Sequence, residues 1–191
     1  IETLFSAIEM GHLIGKFPGK QSEDEVEHLR SALKTVIVQT IERSMPFEVS
    51  GRHVLPHRDY HHVAELVNEL RDDHSVPREI AFITFNYDVG LENALHRENL
   101  PYDYCIDERD SETGSIPVLK LHGSLNCGTC SECEQIIPCR IEETNFQIHP
   151  RITKHVYFDL GTQIHLKIHH DKPIMGPPVL VPPTWDKGDY S

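Results

Sequence analysis

The chain reads as an α/β protein built on a parallel sheet with flanking helices. Two apolar runs predict the sheet. Ala81-Phe82-Ile83-Thr84-Phe85 leads into Asn86-Tyr87-Asp88, and Val118-Leu119-Lys120-Leu121 leads into His122-Gly123-Ser124. Nearly unbroken apolar runs of this length fit strands buried on both faces, as in parallel sheets. Segments of helical periodicity alternate with these runs, which is the pattern that builds such a sheet.

The chain opens at Ile1 on an amphipathic segment carrying Leu4, Phe5, Ile8, Leu13 and Ile14. Ser22-Glu23-Asp24-Glu25 forms a capping box, in which Ser22 accepts from an early helical N–H and Glu25 reaches back. Its acidic residues suit the positive end of a helix dipole. Val26, Leu29, Leu33, Ile37 and Ile41 then recur at helical spacing, and Pro46 ends the helix. Residues 50–56 read as loop. A second helix places Val63, Leu66, Val67 and Leu70 on one face. Pro77 leads into the first strand, which ends at Asn86. Residues 88–98 predict a helix with Asp88 as N-cap and Leu91, Ala94 and Leu95 facing inward.

Residues 102–106 are short and extended, residues 107–115 form a polar loop, and residues 118–121 form the next strand. A cysteine-rich module follows at residues 127–139, inserted between residues 1–126 and 140–191 of the main domain. Residues 140–176 are the least legible, with weak strand patterning at residues 156–158 and 164–168. Residues 179–181 form another short strand, stopped by Pro182 and Pro183.

A chain of 191 residues makes one domain, or one domain with a small insertion. Its net charge of -12 argues against a nucleic-acid contact in this segment. No basic run suits a membrane surface, and no apolar stretch nears the roughly 18 residues of a spanning helix. No signal peptide is visible, and five closely spaced cysteines suit a metal in a reducing compartment better than a disulfide framework. A cytoplasmic location is expected.

Ligands of open α/β sheets bind beyond the carboxyl ends of the strands, where Asn86, Asp88 and His122 fall. A histidine there can take a proton from a ribose hydroxyl or a water, and Gly123 keeps the space beside it open. The blander alternatives are a histidine bonded to a buried carbonyl, an Asp88 that caps the next helix, and an Asn86 that holds the turn. Tyr87 and Trp185 suit either the walls of a ligand pocket or ordinary packing.

Cys127-Gly128-Thr129-Cys130 can offer two thiolates to one zinc ion. Cys133 and Cys139 can complete a tetrahedral set, with His149 or His155 as substitutes for one of them. The role of that zinc would be structural. Cys105 stands apart and reads as a core thiol. His57, His61, His62, His165, His169 and His170 read as solvated surface residues, since no metalloprotease-type carboxylate pattern accompanies them.

Thr84-x-Asn86-x-Asp88, then Leu121-His122-Gly123-Ser124, then cysteine pairs, resembles the sirtuin superfamily, in particular the divergent bacterial branch found in NAD-consuming defence proteins. Val179-Leu180-Val181-Pro182-Pro183-Thr184-Trp185-Asp186-Lys187 is similar to the same branch, so the likeness spans residues 81–187. The resemblance implies a Rossmann-like sheet and NAD as substrate. It places Thr84, Phe85, Asn86, Tyr87, Asp88, Gly123 and Ser124 around the nucleotide, with His122, Asn86 and Asp88 as the catalytic group. A first strand with a Gly-rich phosphate-binding turn would precede residues 1–14, and a last strand would follow Lys187. Neither is legible, so the sequence reads as an internal piece of a longer domain or one lacking its flanks.

The implied reaction is cleavage of the nicotinamide–ribose bond with water as acceptor, giving nicotinamide and ADP-ribose. Two departures favour water over an acyl-lysine peptide. Phe85 stands where deacylating sirtuins carry Gln, and Pro182-Pro183 cannot donate to a peptide strand. An effector of a bacterial antiphage or abortive-infection system is the expected biological setting, as a homo-oligomer or with a sensor partner. The alternatives are an NAD-dependent protein deacylase or ADP-ribosyltransferase, and a non-catalytic nucleotide-binding scaffold.

Overall fold

A computed structural model describes residues 6–8, 10–11, 22–44, 47–50, 53–72, 79–106, 114–141, 155–156, 167–174 and 178–181. Helix α1 spans Glu23–Ser44. The capping box forms as expected. Ser22 N–H donates to Glu25 Oε2 at 2.8 Å, and Glu25 N–H donates to Ser22 Oγ at 3.3 Å. Val26 and Val38 are the buried positions, with Ile37 and Ile41 packed beside Val38, whereas Leu29 faces out.

Residues 50–56 are not all loop. Strand β1 (Phe47–Ser50) pairs antiparallel with β2 (His53–Val54) and, on its other side, with β8 (His155–Val156). The strands are two to four residues long, too short for alternation to announce them.

Helix α2 (Arg58–Asp72) buries Ala64 and Val67. Val63 and Leu66, expected inward, are exposed. The helix turns Tyr60, Ala64 and Val67 to the core, at i, i+4 and i+7, because close packing against its neighbours favours the small alanine there.

The parallel sheet forms in the order β3-β5-β4, but its edge strand β3 is not buried on both faces as expected, since Ile83 is exposed. Strand β3 (Phe82–Thr84) and β4 (Tyr102–Asp103) flank the central β5 (Ile116–Lys120), with Phe82 opposite Val118 and Thr84 opposite Lys120. Helix α3 (Gly90–Arg97) starts two residues later than expected. Its far end closes on Asn99 at φ 56. Leu100 N–H donates to Leu95 C=O at 2.9 Å and Asn99 N–H to His96 C=O at 3.1 Å, a Schellman closure. Leu95 and Leu100 both join the core.

The main core lies between the sheet and helices α2 and α3, drawing on Ala64, Val67, Leu91, Ala94, Leu95, Ile116 and Val118. A fully buried Leu95 contributes roughly 1.5–3 kcal/mol relative to exposure. A second cluster joins Val38, Phe47, Val89, Leu125, Ile141 and Leu180. It fastens α1 and the β1–β2 hairpin near the carboxyl ends of the parallel strands.

The cysteine-rich segment is a hairpin of β6 (Cys127–Thr129) and β7 (Ile136–Pro138). A second hairpin, β9 (Ile168–His169) with β10 (Lys172–Pro173), lies against it. Ile174 packs on Cys139 and Ile137, and Lys167 Nζ donates to Pro138 C=O at 2.6 Å. Of the strand expected at residues 164–168, residues 164–166 lie outside the described residues, and Ile168 begins β9. Residues 179–181 run antiparallel beside residues 122–127, with Leu180 bridging Gly123. Cys105 is exposed rather than in the core. It sits at φ 57 after β4, its N–H held by Asp103 Oδ1 at 3.2 Å, and this turn directs the thiol outward. Pro182, Pro183, Trp185, His149 and His165 lie outside the described residues, as does the side chain of His155.

Candidate functional site

The two polar signatures meet at the carboxyl ends of the neighbouring strands β3 and β5. Leu121 N–H donates to Thr84 C=O at 3.1 Å, extending the ladder to where the loops begin. The His122 ring lies 4.9 Å from the Phe85 ring and 6.1 Å from the Tyr87 ring, centroid to centroid. Leu125 N–H donates to Tyr87 C=O at 2.9 Å, a second tie between the loops.

Gly123 is required by geometry. Its φ is +81°, and a Cβ there would fall 2.1 Å from the Val179 carbonyl oxygen. Ser124 N–H donates to that oxygen at 3.0 Å, and Val181 N–H to His122 C=O at 2.8 Å. The residue 178–181 segment therefore braces the histidine turn from behind. Tyr87 adds a hydroxyl donation to Val181 C=O at 2.5 Å.

Thr84 Oγ1 accepts from Asn86 N–H at 3.1 Å and shapes the first loop. Asp88 is not the N-cap expected of it, since Val89 holds that position; it forms an Asx turn just before the helix and also contacts the site. Its Oδ1 accepts from Gly90 N–H at 2.8 Å, and its Oδ2 accepts from the Tyr60 hydroxyl at 3.3 Å. Asn86 Nδ2 donates to the same hydroxyl at 2.9 Å. Tyr60 thus links Asn86 to Asp88 from helix α2. Burial, then the Asp88 charge, pushes the Tyr60 phenol up to about 12, so it stays a neutral donor and acceptor. Sequence reasoning missed Tyr60. Its only signal was its place one turn before Ala64 on the inward face of α2.

Behind the loops runs a buried polar chain that was also missed. Lys120 Nζ donates to Glu92 Oε1 at 2.8 Å and to Asp88 C=O. Tyr104 donates to Glu92 Oε1 at 3.1 Å. Asn126 Nδ2 donates to Tyr104 Oη and to Cys139 C=O, both at 2.8 Å, and Ser124 donates to Asn126 Oδ1 at 2.6 Å. Glu92, Ser124 and Asn126 are almost fully buried. Burial and the Glu92 charge hold the Tyr104 phenol well above its usual range. Ser124, expected near the nucleotide, is instead wholly inside, where it supports the Tyr87 turn.

The cysteines separate into two kinds. Cys130 and Cys133 come together with His169, their ligand atoms all within 4.8 Å of one another. Contact with His169 first, then the backbone N–H groups of Cys133 and Glu132, brings the Cys130 thiol down to about 7. Cys127 and Cys139 are buried, as Cys130 is, but lie outside that group. Burial pushes the Cys127 thiol up to about 12. His169, expected to be a solvated surface residue, faces Cys133 Sγ at 3.9 Å.

Residues 80–140 match the SIR2-like domain family. The matched SIR2-like segment holds β3, β5, both signature loops and the β6–β7 hairpin. It supports an NAD-related function of the sirtuin family in general. Tyr60 and His169 lie outside it. No curated protein matches the chain. Among the described residues, no helix is long and apolar enough to cross a membrane. A cavity of about 560 Å³, lined by Arg71, Ile80, Gly114 and Pro117, opens at the opposite ends of β3 and β5 and includes none of the expected site residues.

Proposed function

We propose that the chain is the catalytic part of an NAD hydrolase that cleaves NAD to nicotinamide and ADP-ribose. The observation that carries this reading is the meeting of the Asn86–Asp88 loop and the His122 turn on adjacent parallel strands inside the SIR2-like segment. In NAD hydrolysis the bond from ribose C1′ to the nicotinamide nitrogen breaks, and a water oxygen bonds to C1′. The electron pair of the broken bond leaves with nicotinamide, and one proton is released from the water. The transition state carries positive charge on the ribose, so preorganised polar groups lower the barrier.

His122 is the proposed proton acceptor. Asn86 is the proposed orienting group: its Nδ2 is engaged by Tyr60, which turns Oδ1 toward a ribose hydroxyl or the attacking water. Asp88, fixed by Gly90 and Tyr60, would supply negative potential for the oxocarbenium. Thr84, Phe85, Tyr87 and Gly123 would border the nucleotide. Phe85, whose ring is exposed beside His122, stands where deacylating sirtuins carry Gln, a departure that favours water as acceptor. We further propose a bacterial defence setting, in which the chain works in a cytoplasmic homo-oligomer or beside a sensor partner. Five free thiols suit that reducing compartment. Zinc is the metal we propose for the cysteine-rich turn.

The test is nicotinamide release from NAD by the full native protein, beside His122→Ala and Asn86→Ala. Removal of a general base should cost about 10²–10⁴-fold in rate while the variants stay folded. Faster turnover of an acyl-lysine peptide than of NAD would move the assignment to a deacylase. Nucleotide binding without any turnover would make the chain a scaffold.

A further inference from the structure

We infer that Cys130, Cys133 and His169 form a zinc site that pins the tip of the β9–β10 hairpin to the residue 130–135 turn, while Cys127 and Cys139 are core thiols that bind no metal. This site stands apart from the proposed NAD chemistry and does not depend on it.

Four observations converge on it. The three ligand atoms are mutually within 4.8 Å, and Cys133 Sγ lies 3.9 Å from His169 Nδ1. Two corners of a zinc tetrahedron with one sulfur and one nitrogen lie about 3.6 Å apart, so this pair needs little movement to close on an ion. Next, Cys130-Ser131-Glu132-Cys133 turns so that Glu132 N–H points at Cys130 Sγ, 3.5 Å away. A backbone donor on sulfur stabilises a thiolate, the form that binds metal.

The hairpins are also joined independently of any ion. Lys172 pairs with Glu132, Lys167 bonds Pro138, and Ile174 is buried against Cys139. The ligands are therefore held in place before metal arrives. Last, His169 sits beside a two-residue hairpin turn with both His170 and Asp171 at positive φ, 52° and 59°. Such a turn follows the twist of its strands, and His and Asp are among the side chains that tolerate its left-handed backbone, so it sets a defined position for His169. That position faces the residue 130–135 turn, where the two cysteines lie.

Cys127 and Cys139 are occupied otherwise. Cys127 Sγ faces Asn126 Oδ1 and Cys139 Sγ faces Arg140 C=O, each at 3.9 Å inside the core. Among the described residues no fourth ligand lies within the same reach.

The test uses the full chain purified under reducing conditions. Zinc content is measured by mass spectrometry, and the metal is then replaced with Co²⁺ to read its visible spectrum. About one metal per chain is expected, with sulfur-to-cobalt bands of two thiolates rather than four. Cys130→Ser, Cys133→Ser and His169→Ala should each lose the metal, His169→Cys should regain it, and Cys127→Ala and Cys139→Ala should keep it. The Co²⁺ spectrum of the unaltered chain decides even where a variant fails to fold. A four-thiolate spectrum overturns the assignment. So does metal retained by His169→Ala, a Cys130–Cys133 disulfide in the reduced preparation, or a chain that binds no metal.

Discussion

At the scale of single residues, the site depends on a tyrosine hydroxyl outside the SIR2-like segment. Tyr60 accepts from Asn86 Nδ2 and donates to Asp88, and so holds the Asn86 side chain in place. It is a positioning residue. Tyr60→Phe should cost about 0.5–1.5 kcal/mol of stability, the usual net worth of a hydrogen bond. In the NAD assay kcat should fall about tenfold, equivalent to ~1.4 kcal/mol in the barrier, with KM less affected. Steady-state kinetics beside a urea unfolding curve check both. An unchanged kcat would reduce Tyr60 to a packing residue. Asn86, Asp88 and His122 were legible because their signal is local: polar residues directly after apolar runs. Tyr60 was not, because its partner Asp88 is 28 positions away.

At the scale of elements, the histidine turn is locked by the strand behind it. At Gly123 the residue 178–181 segment approaches too closely for a side chain. Gly123→Ala would meet the left-handed backbone cost of about 1–2 kcal/mol, and its methyl would drive Val179 away as well. The expected result is a lower urea midpoint together with faster amide exchange at Ser124 and Val181, whose N–H bonds hold the segment. Unaltered exchange at both amides would show that the two strands are not coupled. Helix α1 was readable from its capping box, since that motif closes within four residues. The inward face of α2 was read only in part: Val67 is buried as expected, but Val63 and Leu66 are exposed and Ala64 faces the core instead. Strands β1 and β2 were missed because each is stabilised by a partner, not by its own pattern, whereas β8 falls at the edge of the weak strand patterning of residues 156–158.

At the scale of the whole molecule, one buried polar chain ties the parts together. Lys120 on β5 holds Glu92 on α3 and the Asp88 carbonyl of the first loop. Through Tyr104 and Asn126 the chain continues to Ser124 and the Cys139 carbonyl. The proposed catalytic loops and the cysteine-rich hairpin therefore share one set of hydrogen bonds. The Lys120 and Glu92 side chains are only 5% and 1% exposed. Breaking such a pair from one side leaves an uncompensated charge, so Lys120→Met should destabilise by about 3–5 kcal/mol. Adding Glu92→Gln should recover much of that loss, and denaturant unfolding of the two singles and the double measures the coupling. Simple additivity would mean that the pair does not act as a unit.

The sequence by itself determined the α/β class, the two parallel strands that carry the polar signatures, the capped first helix and the clustering of cysteines. Each of these rests on neighbours within a few residues, where periodicity, turn geometry and capping act directly. The tertiary structure decided that Tyr60 joins Asn86 to Asp88, that Lys120 pairs with Glu92, and that Cys130 and Cys133 meet His169 while Cys127 and Cys139 turn inward. The reason is separation along the chain. Cys133 and His169 are 36 positions apart, and Lys120 and Glu92 are 28 apart. Contacts at such distances are set by how helices and hairpins pack, and local pattern carries no record of that packing.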